Sequence, residues 1–128
     1  MGQLLNISKT VLGGKGETLA ADLLRKNGYQ ILHRNIRSKF GEIDLVARNG
    51  KTLCFVEVKA RSGLMFGFPE EGVSRQKQWR LSRLASWYLQ RYRLLETPVR
   101  FDVVSILFDE KGTQARTRLI KGAFDGSI

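Results

Sequence analysis

Residues 41–61 read GEIDLVARNGKTLCFVEVKAR. Two apolar runs, Ile43–Ala47 and Leu53–Val58, flank the pair Asn49-Gly50. Asn-Gly tolerates the positive φ that tight turns need, so the stretch predicts a β-hairpin. Valine, isoleucine, leucine and phenylalanine fill both runs, as in strands inside a sheet. Asp44, Glu57 and Lys59 lie within or at the end of these runs. Charges among apolar neighbours are costly to bury unless they pair or hold a metal.

Side chains alternate faces along a strand, so Glu57 and Lys59 share one face. With Asn49-Gly50 as the two-residue turn, Arg48 faces Lys51 and Asp44 falls opposite Phe55. Asp44 and Glu57 are then diagonal neighbours, roughly 7–8 Å apart at the backbone. A four-residue loop preserves this parity and a three-residue loop breaks it. Two carboxylates and one lysine on one hairpin face suit metal-dependent phosphodiester hydrolysis. Mg²⁺ (or Mn²⁺) takes hard oxygen ligands and keeps several waters, so Asp44, Glu57 and the Val58 backbone carbonyl suffice as ligands. Such a metal polarises a phosphate and acidifies a bound water, and a nearby Lys59 ammonium orients that water or offsets charge. The blander reading of the same residues is an ordinary strand pair with Glu57, Lys59 and Asp44 on a solvated face.

At 128 residues the chain has room for one domain with a real core. Its 22 Lys and Arg against 12 Asp and Glu give a net charge of +10. That excess favours a polyanionic partner, nucleic acid ahead of a membrane surface. The single cysteine, Cys54, excludes an internal disulfide and reads as a small buried hydrophobe in a reducing compartment. No apolar run approaches membrane-spanning length and residues 1–9 lack a credible signal peptide, so a cytoplasmic location is expected. The lone histidine, His33, gives little support to a zinc site or a histidine-based triad.

Residues 1–13 read as a flexible leader, followed by one domain over 14–128. GKGETLAADLLRKNG, from Gly14, predicts a first helix ended by Gly28. Glu17 reads first as an acid favoured by the helix dipole; it also lies on or near the core-facing side, as a third carboxylate over the site would. Tyr29–Ile36 predicts a strand. The loop SGLMFGFPEEG, residues 62–72, is either a connector or a mobile wall beside the site. Ser74–Leu95 predicts a long helix with an apolar stripe of Leu81, Leu84, Ala85, Tyr88, Tyr92 and Leu95. Its charge run is most simply a solvated face. Lys77, one turn before Leu81, points along the stripe toward the sheet and the active face. Trp79 and Trp87 read as packing residues, with base stacking open to an exposed one. Val99–Phe108 predicts a further strand and Thr113–Lys121 an edge strand, with Phe124 as an anchor in the tail. The candidate nucleic-acid contacts are Lys15, Arg61, Arg75, Lys77 and Arg80.

The motifs GKGE (Gly14–Glu17), GEIDLVA (Gly41–Ala47), FVEVKAR (Phe55–Arg61), Phe66-Gly67, Lys77–Leu81, RFDVV (Arg100–Val104) and KGAF (Lys121–Phe124) resemble, in order and spacing, the YraN family of small bacterial proteins. That family is similar to the PD-(D/E)XK nucleases and, among them, to the archaeal Holliday-junction resolvases. The resemblance implies an α/β restriction-endonuclease-like fold, a mixed central sheet flanked by helices. It also implies Asp44 and Glu57 as metal ligands, Lys59 as the catalytic lysine, and Glu17 as the helix acid completing the catalytic set. Ile43 stands where many of these nucleases have a proline. A homodimer suits symmetric two-strand cutting. The first expectation is therefore a Mg²⁺-dependent endonuclease acting on DNA, branched or damaged. The alternatives are a non-catalytic nucleic-acid-binding protein, or a scaffold in a repair, recombination or division complex.

Overall fold

The structure is a computed structural model in which residues 9–63 and 73–125 are described, with side chains from residue 14 onward. The elements run α1 (Lys9–Lys26), β1 (Gln30–Ser38), β2 (Gly41–Asn49), β3 (Thr52–Ser62), α2 (Arg75–Arg91), β4 (Val99–Phe108) and β5 (Ala115–Phe124). The strands form one sheet in sequence order, antiparallel except for the parallel β3–β4 pair that α2 connects. Parallel neighbours need such a crossover, whereas β1–β2–β3 are joined by tight turns. The result is an α/β fold, a mixed five-stranded sheet with a helix on each face.

Both faces of the inner strands are covered, which is why β3 and β4 read as nearly continuous apolar runs. On one face Ala20 and Leu24 of α1 pack on Leu45, Ala47, Cys54, Val56, Val104 and Ile106. On the other, Leu81, Leu84, Ala85, Tyr88 and Leu89 of α2 pack on Val46, Leu53, Phe55 and Phe101. Cys54 is buried, as expected of a small hydrophobe. Phe124 anchors the chain end by stacking on Phe101, with centroids 4.5 Å apart.

Several boundaries differ from those read in the sequence. Helix α1 begins at Lys9, so residues 9–13 of the expected leader are helical, and residues 1–8 lie outside the described ones. So does most of the 62–72 loop, including Phe66 and Phe68. Helix α2 is capped by Ser74, whose side chain accepts from the Lys77 N–H. It ends at Arg91, and Arg93 turns the chain with φ of 57°. Tyr92 and Leu95 therefore leave the expected stripe and are 41% and 66% exposed. Trp79, read as a packing residue, is 60% exposed, whereas Trp87 does pack against the core.

Candidate functional site

The hairpin turn lies one residue further on than the Asn-Gly reading placed it, which shifts the pairing register by two. Asn49 pairs with Thr52 and Leu45 with Val56, so Gly50 and Lys51 form the turn and Gly50 takes the positive φ of 64°. An even shift preserves parity. Counting one pair beyond Leu45–Val56, Asp44 falls opposite Glu57 rather than opposite Phe55.

The β2–β3 ladder stops at Leu45–Val56, and beyond it the Asp44 side chain takes over. Its Oδ2 accepts the Val58 N–H at 2.7 Å. Ile43 and Leu45, two residues apart, fall in clusters on opposite faces of the sheet, so strict alternation breaks at Asp44. Across the sheet the register places Asn35 opposite Asp44, and Asn35 has φ of 54°. A left-handed non-glycine residue inside a strand marks a local irregularity of the kind that re-aims a side chain. Asp44 is thus presented at a gap between two strands.

Four carboxylates surround that gap. Burial pushes the Asp44 carboxyl up, the Val58 N–H opposes this, and Glu57, Glu17 and Glu42 raise it further, to about 6. Glu57 is 7% exposed. Its Oε1 makes an ion pair with Lys77 of α2, while its Oε2 is buried with no hydrogen-bond partner. Buried polar atoms are nearly always satisfied, so an unmatched carboxylate oxygen marks an unfilled role. Ser105, fully buried, has an unpartnered Oγ and pairs in register with Lys59 on the adjacent strand. The sequence reading missed Ser105; a serine inside the apolar run Val103–Phe108 was the available signal.

Gly16 explains how Glu17 reaches the site. A Cβ built at Gly16 would lie 3.4 Å from the Ala60 Cβ and 3.7 Å from Val58 Cγ1, so the glycine lets α1 press against β3 beside the Glu57–Lys59 segment. Glu17 is half-buried there, with Oε1 3.9 Å from Arg34. Lys59 is half-buried, one side-chain repeat beyond Glu57. Among the expected nucleic-acid contacts, Lys15, Arg61, Arg75 and Arg80 are exposed. Lys77 is turned inward onto Glu57, and with Arg80 it lines a groove that Phe40 and Glu42 close from the opposite side.

Among the described residues, no group of three or more His, Cys, Asp or Glu side chains stands arranged to hold a metal ion. The pair Asp44 and Glu57 nevertheless fits a hard divalent cation chemically. Both are oxygen donors, one has a buried unpartnered oxygen, and the other is held above its ordinary range by burial and neighbouring negative charge. Val58 meets Asp44 through its N–H.

A second buried carboxylate lies on the α1 face, at the end of the sheet near the Asn49 turn. Asp102, 1% exposed, accepts from Arg100 Nε at 2.8 Å, Arg100 Nη2 at 3.0 Å, the Tyr29 hydroxyl at 2.7 Å and the Gly122 N–H at 2.9 Å. Arg100 also donates to Asn49 Oδ1 at 3.0 Å. This network ties together β2, β4, β5 and the residue before β1, and it leaves no carboxylate oxygen unmatched.

No helix among the described residues is long and apolar enough to cross a membrane. A solved structure titled "Crystal structure of SSO0001" is similar with a TM-score of 0.38 and 16% identity, over 91% of this chain and 53% of that one. That likeness is too distant to carry weight. The sequence matches are closer. A "UPF0102 protein" of Caldicellulosiruptor saccharolyticus is 44% identical over 118 residues, covering 92% of this chain and 100% of that one. One of Lachnoclostridium phytofermentans is 51% identical over 120 residues, covering 93% and 97%. Residues 16–106 match the family described as "Uncharacterised protein family UPF0102". The YraN-like motifs and these matches agree: the chain belongs to the UPF0102 (YraN) family.

Proposed function

We propose that the chain is a divalent-metal-dependent endonuclease that cleaves DNA, with Asp44 and Glu57 as its metal-holding carboxylates. One observation carries this reading. Two acids on adjacent strands meet where the ladder opens, and one of them keeps a buried oxygen without a partner. A purely structural acid would have been matched, as Asp102 is.

When bound, Mg²⁺ or Mn²⁺ would supply Lewis-acid polarisation of the scissile phosphate and an acidified water. The protein's own groups supply the rest. The Val58 N–H fixes the Asp44 carboxylate in the gap between β2 and β3. Lys59, on the same strand face as Glu57, brings an ammonium toward the charge that develops on the phosphoryl oxygens. Glu17 adds a third carboxylate from α1, held near the site by the close approach at Gly16. The exposed cations Lys15, Arg61, Arg75 and Arg80 hold the phosphate backbone without reading sequence.

The Lys77–Glu57 ion pair favours a second reading, in which Lys77 permanently neutralises Glu57 and the protein binds nucleic acid or scaffolds a complex without cutting. A cleavage assay separates the two. Four-way-junction, flap, duplex and single-stranded DNA are incubated with Mg²⁺, with Mn²⁺ and with a chelator, beside Asp44→Ala. Metal-dependent cutting that disappears in the variant supports the nuclease. Binding without cutting, unchanged by Asp44→Ala, overturns it in favour of the second reading.

A further inference from the structure

Helix α2 carries an exposed indole, Trp79, to which the Asp44–Glu57 site gives no role. Over Arg75–Arg91 it reads RQKQWRLSRLASWYLQR, with five basic residues and no acidic one. A merely solvated helix face mixes signs, because i,i+4 pairs of opposite charge stabilise it and like charges repel. Trp79 stands on the exposed side of this helix. The Arg83 guanidinium carbon lies 6.0 Å from the centre of its ring. Arg75 and Arg83 are one turn before and one turn after Trp79, and Arg80 is its neighbour; all three are exposed. An exposed indole in a row of arginines, without one carboxylate on the helix, is complementary to a polyanion that also offers flat faces.

We infer that Trp79 is a stacking platform for an unpaired base of a DNA strand laid along the exposed face of α2, with Arg75, Arg80 and Arg83 on its phosphates. Paired bases keep their faces inside the stack, so a stacking residue selects single-stranded or branched segments, while the arginines bind any strand. The platform lies near the proposed centre. Trp79 is two residues from Lys77, the α2 residue that touches Glu57, which is ~3 Å of helix rise. Lys77 turns inward and Trp79 outward, so a strand crossing the first turns of α2 passes both. The inference rests on DNA being the substrate and specifies which DNA.

The test is binding in a chelator, where no cutting occurs. The chain has two tryptophans, so Trp87→Phe leaves Trp79 as the sole indole reporter. Adding oligo(dT) should quench its emission far more than a blunt duplex of equal length does. Trp79→Ala, an exposed position whose loss leaves the core intact, should weaken oligo(dT) binding roughly 10-fold or more while duplex affinity stays within about twofold. Trp79→Phe should restore most of the lost affinity. Arg83→Gln should reduce the slope of log affinity against log salt by about one. Absent quenching, equal losses for both DNAs, or no DNA binding at all would overturn the platform. Failure of the platform and failure of the nuclease look different. Asp44-dependent cutting with Trp79→Ala binding unaltered removes only the platform, and quenching without metal-dependent cutting removes only the nuclease.

Discussion

Asp102 on β4 and Asp44 on β2 are aspartates in the same sheet with β3 between them: Asp102 pairs with Val56, and Val56 with Leu45, the neighbour of Asp44. Asp102 is enclosed by Arg100, the Tyr29 hydroxyl and the Gly122 N–H. Burial alone would raise its pKa, but hydrogen bonds from Arg100, Gly122 and Tyr29, together with the Arg100 charge, reverse the effect and hold it below the usual carboxylate range. Asp44 accepts the Val58 N–H in the company of Glu57, Glu17 and Glu42, and sits at about 6. The fold thus resolves one buried acid completely and leaves a cluster of others in electrostatic conflict. A perturbed carboxylate gathered with other acids in one place is the physical mark of a site kept for chemistry, while a matched one marks structure.

The largest expected effect breaks the matched acid. Asp102→Ala leaves Arg100 without its carboxylate and should cost about 3–5 kcal/mol in urea unfolding. Asp44→Asn removes a charge from a crowded cluster and should be neutral at low pH and stabilise by up to about 2 kcal/mol above pH 6. Comparable losses in both variants would erase the distinction between the two regions.

The pH dependence sharpens the contrast, because the two shifts have opposite sign. Asp102 has a depressed folded pKa, so its stabilisation is present above the ordinary aspartate value and is lost as pH falls through the lower, folded value. Asp44 has a raised folded pKa, so its cost is absent below the ordinary aspartate value, grows as pH rises to about 6, and is constant above. Between these pH values Asp44→Asn should gain on the native chain by on the order of 2 kcal/mol. A difference that stays flat over that window would contradict the assignment.

The smallest effect concerns Lys77. Lys77→Met should change stability by about 1 kcal/mol or less without metal, since its pair with Glu57 is partly solvated. It should tighten Mn²⁺ binding several-fold, because the ammonium competes with the cation for Glu57. Calorimetric titration of the variant beside the native chain measures this; weaker binding in the variant would make Lys77 a supporting group instead.

Much of the fold was legible from short-range chemistry. Asn49-Gly50 announced the hairpin, and the runs around it announced strands buried on both faces. The register slipped by two because Gly50 alone takes the positive φ, while Asn49 stays in the ladder with its side chain on Arg100, a contact 51 residues distant that no local pattern displays. The even slip brought Asp44 opposite Glu57, so the pairing of the two acids survived the wrong turn. Tyr92 and Leu95 continue the helical spacing of the α2 stripe, but the chain has already turned at Arg93. The reading of the sequence passed over Asp102, although an acid inside the apolar run RFDVV was the available signal for a buried pair. Glu17 stayed ambiguous because its approach depends on Gly16 meeting Ala60 across the sheet.

The most direct test of the account is calorimetric titration of Mn²⁺ into the native chain and into Asp44→Asn, at a pH well above 6, where Asp44 is ionised. One saturable site is expected in the native chain and its loss in the variant, with folding intact. Saturable binding of equal strength in both, or none in the native chain, would contradict the assignment of Asp44 and Glu57 as the cation-holding pair.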